Sequence, residues 1–96
     1  MQENIRLRIL VSGRVQGVMF RKYAEKLAQD LGITGHVQNL LDGRVEVVCE
    51  GGRENMERFV EGVRKGPRLA RVKGINSEQQ EHTGEWKDFT IREFGF

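Results

Sequence analysis

The sequence predicts an α+β domain in which two helices pack on one face of a mostly antiparallel sheet, in the order β-α-β-β-α-β with a trailing fifth strand. Three observations carry this reading. Apolar residues recur at helical spacing in two separate stretches, alternating runs flank each stretch, and an Asp-Gly pair joins two of those runs as a hairpin.

The first strand rests on Ile5-Arg6-Leu7-Arg8-Ile9-Leu10-Val11, which alternates as a strand does when one face is buried. Gly13 and Gly17 then bracket a short loop. After it, Phe20, Tyr23, Ala24, Leu27, Ala28 and Leu31 form one apolar stripe of a helix, and Gly32 stands where a C-terminal glycine belongs. Thr34 to Leu41 and Arg44 to Glu50 are strand-like runs joined by Asp42-Gly43, a dipeptide that accepts the positive φ angles of a tight turn. Gly51-Gly52 is expected to break the second run. Met56, Phe59, Val60 and Val63 repeat at helical spacing until Gly66-Pro67 ends the pattern. Leu69 to Ile75 reads as a fourth strand, Asn76 to Glu85 as a polar loop, and Trp86 to Phe94 as a fifth strand with Phe89 and Ile91 inward. This order is the split βαβ arrangement of ferredoxin-like folds, an α/β sandwich that hosts enzymes, RNA-binding modules and sensors alike. The function has to be read from a site.

Composition narrows the choice. Ninety-six residues suffice for one core, and 38% hydrophobic with 31% charged residues describes a folded chain. No stretch free of Asp, Glu, Lys and Arg exceeds Leu31 to Leu41, against the roughly 20 apolar residues a spanning helix needs, so no membrane partner is expected. Met1-Gln2-Glu3-Asn4 carries no basic-then-apolar signal, which predicts a cytoplasmic protein. Cys49 is the one cysteine and His36 and His82 are the two histidines, so neither a disulfide nor a metal site is expected. The net charge of +2 is modest, but its distribution is not: from Asn4 through Ala24 stand Arg6, Arg8, Arg14, Arg21 and Lys22 with no Asp or Glu. Arg6 and Arg8 alternate with apolar neighbours and read as solvated strand residues.

The loop before the first helix is where chemistry is expected. A helix start leaves four N–H groups without partners, ordinarily met by a Ser, Thr, Asp or Asn cap and favoured by early carboxylates. Gly13-Arg14-Val15-Gln16-Gly17-Val18-Met19-Phe20 offers no such cap, the first carboxylate is Glu25, and Arg21 and Lys22 add positive charge at the positive end of the helix. A bound phosphate or other small anion would balance this, held by loop N–H groups and a guanidinium. The loop is neither a nucleoside-triphosphate P-loop nor a dinucleotide fingerprint, because Gly-Lys-Ser/Thr and G-x-G-x-x-G are both absent.

The run Gly13-Arg14-Val15-Gln16-Gly17-Val18-Met19-Phe20-Arg21 resembles the acylphosphatase signature, and Gly35-His36-Val37-Gln38-Asn39 with Asp42-Gly43-Arg44-Val45-Glu46 and Gly51 resembles that family's second signature. The similarity continues through Gly66-Pro67-Arg68-Leu69-Ala70-Arg71-Val72 and Phe89-Thr90-Ile91-Arg92, so it covers nearly the whole chain, and residues 1–96 are expected to form one acylphosphatase-like domain. His36 departs from it, since the family usually has an aromatic residue beside Gly35. The resemblance implies hydrolysis of an acyl phosphate to a carboxylate and inorganic phosphate. It also implies that Arg21 and the loop from Arg14 to Phe20 hold the phosphoryl group and that Asn39 orients the attacking water.

Residue chemistry is consistent with those roles. Arg21 keeps its charge at any working pH and offers a planar fork to two phosphate oxygens. Asn39 cannot accept a proton, so it can only orient, and no general base is evident. A carboxylate leaving group, with a conjugate acid near pKa ~4, departs without protonation, which favours an activated anhydride and needs no metal or other cofactor. Gln16 reads as a loop-stabilising residue, Tyr23 as part of the core stripe, Cys49 as a buried inert thiol and His82 as a solvated loop residue. Two other readings compete. An RNA-binding module would need sheet aromatics, which Arg44-Val45-Glu46-Val47-Val48-Cys49-Glu50 lacks, so no nucleic-acid partner is expected. An anion-binding regulatory unit without turnover would keep the loop but not require Asn39. Charge spread over the surface predicts a monomer.

Overall fold

A computed structural model describes residues 3–95; Met1, Gln2 and Phe96 of the expected 1–96 span lie outside the described residues. The chain runs β1 (Asn4–Arg14), α1 (Phe20–Asp30), β2 (Thr34–Leu40), β3 (Val45–Gly52), α2 (Arg53–Lys65), β4 (Arg71–Gln80) and β5 (Phe89–Gly95). The five strands form one sheet in the order β4-β1-β3-β2-β5, antiparallel except where β5 pairs with β2. This is the expected ferredoxin-like α+β sandwich with its trailing strand.

Side-chain alternation decides which face the helices cover. Ile5, Ile9 and Val11 of β1, Val45, Val47 and Cys49 of β3, and Val37 of β2 are all buried on the face that receives Phe20, Ala24 and Ala28 of α1 and Met56, Phe59 and Val63 of α2. Phe89 completes this layer edge-on against Phe59, with ring centroids 5.9 Å apart. At 25 cal/mol per Å² such aromatic burial contributes on the order of 2–3 kcal/mol per ring.

Four boundaries differ from those expected. β1 continues to Arg14, so it delivers the backbone straight into the loop. Gly51 and Gly52 do not break β3; they pair with Ile5 and Asn4, and α2 starts at once. β4 runs five residues into the stretch expected to be a polar loop, because it is an edge strand whose outward residues find polar partners: the Arg6 guanidinium donates to Gln80 Oε1 at 3.1 Å. β5 begins at Phe89, leaving Trp86 in the preceding segment.

That segment packs over the other face of the sheet. Arg6 lies 4.4 Å from the Trp86 ring centre, and His36 meets the same ring edge-on at 5.7 Å. The buried Glu50 carboxylate accepts the Thr83 and Gly84 N–H groups at 2.8 and 2.9 Å, and His82 stands 3.5 Å from it. Arg6 is therefore engaged, contrary to the solvated role expected of it, and so is Arg8, which donates to Glu46 Oε2 at 2.6 Å; His82 is exposed in its loop, as expected. Burial pushes the Glu50 carboxyl up, but the two N–H donors outweigh it and hold the carboxyl below its ordinary value.

The hairpin forms as expected, with a difference in its turn. Leu40 and Arg44 close it (N–H to carbonyl, 2.8 Å), so three residues turn the chain and only Gly43, at φ 96°, is left-handed. Asp42 instead accepts the Arg44 N–H at 3.1 Å.

Candidate active site at the first strand-to-helix loop

Residues 15–19 join β1 to α1 with their side chains sorted by burial. Val15 and Val18 are buried with Phe20, whereas Gly17 and Met19 are exposed. The valines anchor the loop and leave its backbone at the surface. Gly13 is required by close approach: at φ 119° an added Cβ would lie 2.2 Å from Arg71 O. Gly17 is required by conformation alone, since its φ of 74° is left-handed but an added Cβ would meet nothing within 4 Å. Gln16 ties the loop to the hairpin, its amide donating to Leu40 O at 2.8 Å and Arg44 O at 2.9 Å. This fits its expected structural role and fixes the loop against the end of β2.

The helix start is as exposed as the sequence predicts. Met19 occupies the cap position at φ 65°, makes no side-chain cap, and no acidic residue stands in the first turn. Among the described residues, the first α1 amide that donates to a backbone carbonyl is that of Tyr23, to Met19 O at 3.1 Å. The preceding N–H groups are available to an anion, which the positive end of the helix favours.

Arg21 and Asn39 meet here. They line one cavity of about 660 Å³ together with Val15, Gly17, Met19, Phe20, Lys22, Glu25, Thr90, Ile91 and Glu93. Arg21 leans across α1 toward β5, its guanidinium 3.4 Å from Arg92 O. Asn39, opposite Val45 on β2, has its Oδ1 buried with no hydrogen-bond partner. An amide oxygen stripped of water and left unpaired costs about 1–3 kcal/mol. A strand-end asparagine serving only its own turn would not be left in that state.

Of the expected phosphate-site residues, Arg14, Gln16 and Val18 do not line the cavity. Arg14 is exposed and paired across the strands with Arg71, Gln16 is committed to the hairpin and Val18 is in the core. Five lining residues were not anticipated. Lys22 and Glu25 follow Arg21 by one and four positions on the helix, a spacing that could have pointed to Glu25. Thr90, Ile91 and Glu93 come from β5, and no local sequence pattern links them to the loop. Glu25 lies 3.9 Å from Lys22, which tempers its charge toward an anion.

Other reactive groups stand apart. Cys49 is fully buried and burial pushes its thiol up to about 12, so it is protonated and inert as expected. His36 lies on the opposite face of the sheet. Among the described residues no three His, Cys, Asp or Glu side chains converge to hold a metal. What the cavity offers is a guanidinium, free helix amides and an unsatisfied amide oxygen, a set suited to a phosphoryl group and a nucleophilic water.

Comparison with known proteins agrees. Residues 7–91 match the family model described as acylphosphatase. An acylphosphatase of Methylococcus capsulatus is 46% identical over 86 residues, covering 90% of this chain and 94% of that one. One from Thermus thermophilus is 51% identical over 79 residues, covering 82% and 90%. The crystal structure of the Bacillus subtilis acylphosphatase superposes with a TM-score of 0.89 at 35% identity, covering 92% of this chain and 98% of that one. The fold and the site define a small phosphohydrolase. The chain belongs to the acylphosphatase family, and its activity is the hydrolysis of acyl phosphates. No helix among the described residues is long and apolar enough to cross a membrane.

Proposed function

We propose that the loop amides of residues 15–20 and the Arg21 guanidinium hold the phosphoryl group, and that Asn39 orients the water that attacks it. The observation that carries this is the convergence of Arg21, an uncapped helix start and the unpaired Asn39 oxygen on one cavity. Gln16 and Val18 belong to the same loop and Arg14 ends the strand that leads into it, and these residues act through its shape.

In this mechanism the water oxygen bonds to phosphorus as the phosphorus–oxygen bond to the acyl group breaks, and the carboxylate leaves with the electron pair. Charge spread over the phosphoryl oxygens is met by donors that are already in place, so little reorganisation is needed. Among the described residues, Glu25 and Glu93 are the carboxylates that line the cavity with Asn39, and a carboxylate leaving group requires no acid. The water's proton passes to a phosphoryl oxygen, giving inorganic phosphate. Leaving-group chemistry therefore asks for no metal or other cofactor. We also read residues 1–96 as one domain, acting as a monomer in the cytoplasm.

The test is phosphate release from benzoyl phosphate with chelator present. Arg21→Lys keeps the charge but loses the fork, and kcat/KM falls about 100-fold or more. Full activity in that variant, or activity abolished by chelator, would sink the mechanism.

A further inference from the structure

A second cavity adjoins the first. About 480 Å³ in volume, it is lined by Met19, Lys22, Tyr23, Lys26, Leu27, Asp30 and Pro67, so it shares Met19 and Lys22 with the phosphate cavity. The two lie on either flank of the α1 N-terminus: Arg21 and Glu25 face β5, while Tyr23, Lys26 and Leu27 face the turn after α2. Met19 and Lys22 stand between them.

We propose that this groove receives the acyl group of the substrate and that Met19 is its specificity-determining residue, selecting acyl phosphates with an aromatic or branched apolar acyl group. The proposal rests on the phosphate-site reading above. Its wall is apolar, made of a thioether, a tyrosine ring, leucine, proline and the stems of two lysines, and it is continuous with the place where the leaving carboxylate must emerge. In-line displacement puts that carboxylate opposite the attacking water. With the water held by Asn39, the acyl group leaves on the far side of the phosphoryl group, where Met19 and Lys22 border both cavities.

Met19 is built for contact. Its side chain is 69% exposed, although its backbone sits at φ 65°, where glycine would rest without strain. A flexible, polarisable thioether suits an aromatic ring edge or an irregular aliphatic group. Tyr23 is held in place by its hydroxyl, which donates to Gly62 O at 2.8 Å, so the opposite wall is fixed. The Lys22 ammonium borders both cavities and favours the carboxylate end of the leaving group, while Lys26 is paired with Asp30 at 3.4 Å on the groove's far rim.

The experiment compares kcat/KM for benzoyl phosphate and acetyl phosphate in the native chain, Met19→Gly and Pro67→Glu. Met19→Gly is expected to lower the benzoyl-to-acetyl ratio about tenfold, as loss of one apolar contact in a binding pocket does. Pro67→Glu, outside the phosphate loop, lowers the same ratio, because a charge on the groove wall penalises the benzoyl group more than the acetyl group. An equal loss on both substrates in Met19→Gly, or an unchanged ratio in Pro67→Glu, overturns the proposal. If the native chain sediments as a dimer that Pro67→Glu dissociates with the ratio unchanged, the groove seats a second copy and the proposal falls. An Arg21→Lys protein with native acetyl phosphate turnover would instead refute the phosphate site itself.

Discussion

Asn39 places function and stability in opposition. Its unpaired oxygen serves a bound water but burdens the fold, so Asn39→Leu, close in shape and without polar atoms, is expected to gain about 1 kcal/mol in urea denaturation. The same variant loses turnover, and a loss of stability would show that the amide has a structural partner. His36 sets a second residue-scale dependence. Burial, reinforced by the charge of Arg92, lowers its pKa below the ordinary 6.5, with Arg6 adding to the shift and Glu46 and Glu85 opposing it. Its Nδ1 is buried without a partner. A histidine kept neutral in the fold but free to protonate when unfolded loses stability as pH falls through 6.5 toward the lower folded value, and has no such effect above 6.5. His36→Phe removes this limb while keeping a ring against Trp86. Melting temperatures at pH 7.5 and 5.5 should therefore diverge less in the variant than in the native chain. Burial also pushes Glu46 up, but hydrogen bonds from Gln38 and Arg8 outweigh it and hold its carboxyl low, so its contribution is complete above the ordinary 4.5, declines as pH falls below that value and is gone once pH passes the lower folded value.

At the scale of elements, β2 and β3 approach closely enough to exclude a side chain at Gly35. With φ at 136°, an added Cβ would fall 1.9 Å from Val48 O, backbone that cannot move aside without breaking the ladder. Gly35→Ala should cost roughly 3 kcal/mol or more by chemical denaturation, in the range of backbone-incompatible substitutions. Gln16→Ala tests a gentler link, between the loop and the hairpin. Losing its two hydrogen bonds to Leu40 and Arg44 costs about 1–2 kcal/mol and raises the KM, because the loop then shifts relative to Asn39. The elements were legible to different degrees for a physical reason. Strands flanked on both sides, such as β3, and helices with one apolar stripe impose a periodicity. β4 is an edge strand with exposed Asn76, Ser77, Glu78 and Gln79, so its second half carries no apolar signal. Trp86 is apolar and aromatic yet lies outside β5, because its ring packs beneath Arg6 and edge-on to His36 across the sheet's open face.

The whole molecule explains which half of the site could be read beforehand. The loop, Arg21 and Asn39 were legible through unusual local chemistry, a helix start lacking every usual device, together with a resemblance spanning most of the chain. The β5 wall was not, because only the sheet order brings Thr90, Ile91 and Glu93 beside residues 15–25. The open-face cluster escaped for the same reason: Glu50 meets Thr83 and Gly84 across a separation of more than thirty positions. Breaking it by Glu50→Ala leaves the Thr83 and Gly84 N–H groups without their acceptor and should cost about 1–3 kcal/mol by urea denaturation, with kcat unaltered since the cluster lies away from the cavity. The parallel pairing of β5 with β2 also sets an order of events during synthesis. The phosphate loop and Asn39 leave the ribosome well before residues 90–93, and β1 waits for β4 across a still longer stretch of chain, so a nascent chain holds both halves of its anion site without the wall that encloses them. Catalytic competence therefore arrives together with the closing of the sheet rather than accumulating as the chain grows.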